Sequence, residues 1–406
     1  MPHEGNDPAT AGIARVVILL SLAAFASAVA LRLCDPLLPE LARTFGTTTA
    51  KAAMVITATS IAYGICQLLF GPLGDRYGKF RVIAWACLAS TLGALACAAS
   101  PTLDSLSLAR AMTGATTAAL IPLSMAWIGD VVAFDERQHT LAKFMSGQII
   151  GMVSGQALGG LFADTVGWRW AFVFLAAIYC VVGILLLRAL QRLQQRGTLA
   201  DATPADQLST LARIGLILGN AKARGILATV FIESMAAFGV MAFIPAYLHE
   251  RFGISLFHAG SVVAVFGVGG LLYTSFARRW VRALGEARLA RLGGGLLGIA
   301  YLILALGNSW LWAVAACLLA GLGFYQLHNT LQTQATQMAP KARGTAVSIF
   351  ASCFFLAQAV GVSLGAWAIE RYGAPWLFAC SALILPLLGW RFSLRLQRES
   401  VKSPSA

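Results

Sequence analysis

The sequence predicts an all-α membrane protein of twelve transmembrane helices, arranged as two pseudo-symmetric six-helix bundles. Three observations carry that expectation: a shortage of charge, apolar runs of one recurring length, and an internal repeat. Of 406 residues, 58% are hydrophobic and only 12% charged, against about 25% charged in an ordinary soluble chain. The mean hydropathy is +0.74. So much apolar surface cannot be hidden in a water-soluble core, which makes the bilayer the solvent. A formal charge of +13 would point to nucleic acid in a soluble protein. Here it reads as sidedness, and no nucleic-acid partner is expected.

In order, the apolar runs cover residues 13–34, 52–74, 82–100, 103–128, 144–164, 170–190, 226–248, 258–277, 289–307, 310–335, 346–369 and 374–393. Each approaches the ~20 residues that a ~30 Å hydrocarbon layer asks of a helix. The runs are continuous and do not alternate, so helices fit better than barrel strands. The first run meets AFASA at Ala24 to Ala28, a pattern that also ends secretory leaders. Because the run continues to Leu33 and has a partner in the repeat, it is read as a span. All eight cysteines fall in apolar runs without a CxxC pair. They are expected to be small buried hydrophobes, with no disulfide or metal framework.

Basic residues set the orientation. With the N-terminus in the cytoplasm, the great majority of the 30 Lys and Arg fall on that side. Arg43, Lys51, Arg169, Arg251 and Arg371 lie opposite, and Arg32 and Arg110 lie within spans. This bias places both termini in the cytoplasm and suits the inner membrane of a bacterium. The longest hydrophilic stretch begins RLQQRGTLADATPADQ at Arg192. It divides the chain into an N-terminal bundle (1–190), a cytoplasmic linker (191–224) and a C-terminal bundle (225–406). Within the linker, Leu208, Leu211, Ile214, Ile217 and Leu218 have helical spacing, which predicts a short helix lying at the membrane interface.

The halves repeat at a near-constant offset. GQALGGLFADTVGWRWAF (155–172) lies over GVSLGAWAIERYGAPWLF (361–378), with Asp164 over Glu370. LPELARTFG (38–46) lies over IPAYLHERFG (244–253), and GDRYGKFR over VRALGEAR (281–288). The last match keeps a glycine at Gly78 and Gly285 but sets Arg282 against Asp75. Both halves start on one side, so the repeat is parallel, six helices plus six.

GPLGDRYGKFR (71–81) reads as the turn between the second and third helices. Gly71 and Gly74 would permit close helix approach, and Gly78 would supply a positive φ. Arg76, Lys79 and Arg81 would face headgroups. Asp75 stands at a helix C-terminus, where the macrodipole disfavours an acid, so a tertiary partner is expected. The stretch resembles the signature loop of the major facilitator superfamily, and the resemblance extends over the whole chain. It implies that Asp75 holds one state of an alternating-access cycle, as a latch between halves. LSLARAMTG (106–114), with Arg110, and GMVSGQALGG (151–160) resemble helix 4 and helix 5 motifs of the drug/proton antiporter branch. Gly151, Gly155, Gly159 and Gly160 match the second motif, whereas Gln156 replaces its proline.

Charge within a span costs about 2.5–3.5 kcal/mol on insertion scales and calls for a partner or a water-filled cavity. Arg32 and Asp35, three apart, could pair. Asp35 could instead meet Arg110, or Arg32 could snorkel outward while Asp35 starts an Asp–Pro turn. Glu233, in FIESMAAF, lies near the midplane, where acids commonly carry protons. It either binds a proton or cation, or fixes helix packing as a neutral hydrogen-bonded acid. YQLHNTLQTQATQ (325–337) is too polar to face lipid. It places Tyr325, His328 and Gln332 on one face, with Gln326 and Asn329 as further cavity candidates. Asp35, Arg110, Glu233 and His328 are the proton-coupling candidates. Arg32, Tyr325, Gln326, His328, Asn329 and Gln332 are the substrate-cavity candidates. The resemblance implies that the helices bearing them line the central cavity.

The expected activity is secondary active transport by a monomer, with proton-coupled export of a small organic solute such as a drug or sugar. The alternative is a proton-coupled importer. A membrane enzyme would show HExxH, GxSxG or paired midplane acids, and none occurs. The five histidines lack ligand spacing, so no metal or cofactor is expected. A receptor would carry an appended soluble domain, and a pore a ring of charge or a carbonyl filter.

Overall fold

The computed structural model describes residues 8–195, 210–339 and 343–402. The expected linker residues 196–209, with Leu208, therefore lie outside the described residues. The described chain is helical nearly throughout. Helix α1 (Pro8–Arg32) ends at an irregular break, followed by α2 (Leu38–Phe45) and the single turn α3 (Thr49–Ala52). Next come α4 (Met54–Tyr77), α5 (Lys79–Ala99), α6 (Leu103–Thr117), α7 (Leu120–Val131), α8 (Phe134–Asp164) and α9 (Trp168–Gln195). After α10 (Thr210–Gly219), the series continues with α11 (Ala221–Met241), α12 (Ile244–Phe252), α13 (Leu256–Leu306), α14 (Trp310–Gln337), α15 (Arg343–Tyr372) and α16 (Ala374–Lys402).

Among the described residues, ten helical segments are long and apolar enough to cross a membrane. One of them, α13, is broken at Gly285 (φ 71°, ψ 162°) and so supplies two crossings. Helix α8 is not among the ten, yet its 31 residues exceed a bilayer's need. Glycines, Gln148 and Gln156 dilute its hydropathy because it is buried between helices rather than bathed in lipid. It packs on α1 through backbone contact: a side chain at Gly151, Gly155 or Gly159 would strike the carbonyl of Phe25, Val29 or Leu33.

Backbone geometry carries the repeat more sharply than side chains do. The positive-φ glycines among the described residues are Gly46, Gly78 and Gly167 in the first half, and Gly253, Gly285 and Gly373 at the matching places in the second. Both halves therefore turn at equivalent points.

The stretch 71–81 is not the loop expected from the sequence. Helix α4 runs on through Pro72 to Tyr77, and only Gly78 (φ 87°) interrupts it before α5. Gly74 does mediate close approach, since an added Cβ would lie 2.7 Å from Leu123. Gly71 does not, because nothing lies within 4 Å of its Cβ position.

Two hydrophobic cores form. One is built mainly from residues 16–190, the other from residues 217–392. They are joined by α4 against α15 and by α8 against α13. Ser352 donates to the Gly64 carbonyl at 2.6 Å, and Tyr63 packs against Phe355 with ring centroids 4.2 Å apart and planes tilted by 45°. Gly160 abuts Leu256, Gly260 abuts Gln156 and Gly267 abuts Val153. The repeated acids both bind across the join. Asp164 accepts the N–H groups of Leu256 (3.1 Å) and Phe257 (2.7 Å) at the start of α13, where the helix dipole favours an anion. Glu370 accepts the Thr48 hydroxyl at 2.7 Å. These contacts gather towards the end of the molecule that carries Gly46 and Gly253. Towards the Gly78 end the joined faces part. Met145 and Ala142 on α8, and Leu271 and Ser275 on α13, continue those faces but are exposed.

Candidate functional site

The break after α1 positions the first cluster. Because α1 stops at Arg32, residues 33–37 turn inward and bury Asp35 completely. Asp35 Oδ2 accepts Arg32 Nη1 at 3.5 Å and Gln156 Nε2 at 2.7 Å. Of the alternatives open in the sequence, the structure selects the Arg32–Asp35 pair. Arg110 does not bond Asp35. It donates from Nη2 to the Ala30 carbonyl at 2.8 Å and lies over Phe172 at 5.8 Å. Snorkelling is ruled out as well, since Arg32 is only 4% exposed. Gln156, the departure from the antiporter motif, makes the shortest hydrogen bond to the buried acid.

The second cluster unites two candidates that stand 95 residues apart. His328 Nδ1 on α14 lies 2.8 Å from Glu233 Oε2 on α11. Glu233 is fully buried and His328 partly so. The imidazole stacks on Phe324 at 4.7 Å and meets Phe354 at 5.1 Å and Phe350 at 5.5 Å. These rings fix the imidazole plane, so the histidine presents one nitrogen to the acid.

Arg32 bridges the two clusters. Its guanidinium sits 4.2 Å over the ring of Phe238 on α11, within favourable cation–π range. Phe238 in turn touches Phe324 at 4.7 Å and Phe354 at 5.2 Å, the rings that hold His328. A continuous path of packed groups thus runs from Asp35 through Arg32 and the phenylalanines to Glu233. Sequence reasoning named the charged ends but missed the phenylalanines, which are indistinguishable from ordinary apolar residues in a membrane helix. Both acids keep one buried oxygen without a hydrogen-bond partner, Asp35 Oδ1 and Glu233 Oε1.

Among the cavity candidates, Tyr325, His328, Asn329 and Gln332 are half-buried along one side of α14. Gln326 is not with them; it is buried against Gly293 on the second part of α13. At the Gly78 end, Asp75 is 58% exposed and lies 3.8 Å from Lys79, whose ammonium makes a 2.6 Å bond to Asp130. The expected latch between halves is thus absent from this conformation, because Asp75 pairs within its own half. Arg76 lies over the Tyr77 ring.

Comparison with known proteins agrees with this architecture. The family model described as Major Facilitator Superfamily matches residues 20–345. An uncharacterized MFS-type transporter of Bacillus subtilis (strain 168), YceJ, is 23% identical over 368 residues, covering 87% of this chain and 90% of that protein. A putative multidrug resistance protein of Escherichia fergusonii, MdtD, is 27% identical over 249 residues, 58% of this chain and 53% of that one. Among solved structures, the D-xylose–proton symporter superposes with a TM-score of 0.74 at 15% identity, covering 94% of this chain and 98% of that one. The nucleoside transporter NupG gives 0.75 at 14%, covering 93% and 99%. With its two fused cores, repeated glycine turns and charged interior, this chain is a multi-pass membrane transporter, not an enzyme, and belongs to the Major Facilitator Superfamily.

Proposed function

We propose that the protein is a proton-coupled exporter of a small organic solute, working as a monomer by alternating access. One observation carries the reading: each half holds a completely buried, hydrogen-bonded acid, Asp35 or Glu233, and Arg32 with an aromatic cluster links the two. Each acid leaves one oxygen unsolvated, a strain that taking up a proton relieves. A proton can alter the balance of conformations only by binding them unequally, and acids buried at the join of two moving halves are suited to that. The surplus of basic residues puts the Gly78 end and both termini in the cytoplasm, so the present conformation opens inward. On this reading residues 1–190 and 225–406 are the rocking bundles, with 191–224 linking them. Resemblance to a putative multidrug resistance protein favours export. Gln156 in place of the motif's proline keeps proton-coupled import as the second reading.

Everted membrane vesicles with an acid interior test both. Export by antiport predicts that an added solute such as ethidium alkalinises the lumen, read as acridine-orange dequenching, only when the protein is present. A lumen that acidifies further would indicate symport. No solute-dependent response to any member of a drug and sugar panel would reject proton coupling.

Asp75 gives a second test. Its pair with Lys79 is exposed, and such pairs are worth about 0.2–1 kcal/mol. Asp75→Asn should therefore leave the melting temperature nearly unchanged yet slow transport clearly. A wild-type rate would remove the latch role.

A further inference from the structure

At the Gly78 end, α13 carries three charges that the buried acids do not account for. Arg278, Arg279 and Arg282 are exposed and border an open cleft of about 540 Å³. Among the described residues, none of the three makes an ion pair or a hydrogen bond. The nearest acid in sequence, Glu286, accepts Gln334 Nε2 at 2.7 Å instead. Like charges spaced i, i+4 on a helix repel, so the cluster is unfavourable until an anion joins it. The fold does not demand it. In the repeat, RRWVRALG (278–285) lies over GPLGDRYG (71–78), and both stretches are helical up to the same positive-φ glycine. The first half makes that turn with Gly71, Pro72 and Asp75 where the second has its arginines.

What lies beside the arginines identifies the anion. Helical spacing puts Val268, Leu271, Leu272 and Ser275 on the face that the three arginines continue. Val268, Leu271 and Leu272 are exposed, so an apolar strip runs straight into the charged cluster. From Val268 to Arg279 the helix rises ~16 Å, close to half of a ~30 Å hydrocarbon layer. Next to the cluster, Phe276 stacks on Trp280 with centroids 6.0 Å apart and planes inclined by 27°, and Tyr273 packs on Trp280 at 5.9 Å. Such rings favour the boundary between hydrocarbon and headgroups, which sets the arginines at headgroup level. A soluble anion would use the guanidinium groups and leave the strip idle. An amphiphile uses both: its phosphate takes the forked N–H donors of arginine, and an acyl chain lies along the strip.

We propose that this face of α13 binds an anionic phospholipid from the leaflet at the Gly78 end, and that the bound lipid favours the present conformation. The second clause rests on the alternating-access reading. Along the join, Gly260 meets Gln156 and Gly267 meets Val153 of α8. Leu271 and Ser275 continue that face, lie beyond the point where the halves part, and are exposed. Closure brings α8 over them and displaces the acyl chain. The lipid therefore binds one conformation better than the other, and that difference moves the balance.

Native mass spectrometry of the detergent-solubilised protein tests the site. Each arginine facing an anionic lipid contributes about fivefold to binding. Dioctanoyl phosphatidylglycerol should therefore bind about a hundredfold more tightly than dioctanoyl phosphatidylcholine. Arg278→Gln combined with Arg279→Gln and Arg282→Gln should erase that preference. Arg288→Gln with Arg291→Gln, at exposed arginines beyond Gly285, should leave it intact. Equal binding of the two lipids, an undiminished preference in the triple variant, or the same loss in the Arg288 and Arg291 variant overturns the lipid site. Inorganic phosphate that displaces phosphatidylglycerol at equal concentration also overturns it, since that marks a site for a soluble anion. For the conformational effect, Thr49→Cys with Glu250→Cys reports contact between the halves at the far end. Cross-linking should be faster in phosphatidylcholine vesicles containing phosphatidylglycerol than in phosphatidylcholine alone, and the triple variant should lose the difference. Suppose the lipid binds but cross-linking does not respond, while Gly160→Val, which obstructs the contact with Leu256, still alters it. The conformational effect is then overturned and alternating access stands. If neither lipid nor Gly160→Val changes cross-linking, both fall.

Discussion

Glu233→Gln is expected to make transport independent of pH while leaving the fold intact. The amide has the carboxyl's shape and can still hydrogen-bond His328, whose nitrogen lies 2.8 Å away, but it cannot exchange a proton. The amide keeps the carboxyl's volume and its hydrogen bond and carries no charge for burial to penalise, so the melting temperature should hold or rise. Flux driven by a proton gradient should drop to that of protein-free liposomes, while exchange of labelled for unlabelled solute, which needs no net proton movement, should persist. His328→Leu is the contrasting variant. It strands Glu233 in a fully buried site, and breaking a buried pair costs about 3–5 kcal/mol, so that protein should melt well below the wild type. If Glu233→Gln instead keeps the wild-type pH response, the dyad is a packing device and Asp35 alone carries the proton.

The separate behaviour of these residues shows what a sequence can and cannot disclose. Spans were legible because hydropathy over about 20 residues is a local property. Helix α8 shows the limit of that signal, since its burial between helices relaxes the need for apolar side chains. The glycine turns were legible because only glycine enters a positive φ freely, so Gly78 and Gly285 persist while Asp75 and Arg282 diverge. Asp35, Glu233 and His328 stood out because charge in a span is expensive. Their partners did not. Glu233 meets His328 across 95 residues and Gln156 reaches Asp35 across 121, and no local pattern encodes such distances. Gln326 misled for the opposite reason. Its polarity suggested a cavity, but its place on α14 turns it towards Gly293, away from the side His328 presents.

Gly160→Val is expected to act on the balance of conformations more than on folding. A Cβ there would meet the carbonyl and backbone carbon of Leu256 in the other half, and neither can yield by a change of rotamer. Overpacking of this kind costs about 1–3 kcal/mol. Here the cost falls only on the state in which the two halves touch at this end, because Gly160 lies beyond the α1 contacts of Gly151, Gly155 and Gly159. The far end should therefore open, shifting the population by roughly tenfold to a hundredfold. Thr49 and Glu250, joined by a 2.9 Å hydrogen bond across the halves, offer a direct reading. Cysteines placed there should cross-link readily in the parent and far less in Gly160→Val. Gly151→Val provides the control. Its clash with Phe25 lies within one half, so it should lower the melting temperature in every conformation and leave the cross-linking ratio of the surviving folded protein unchanged. Equal loss of cross-linking in both variants would mean that the halves are not separate moving bodies at this contact.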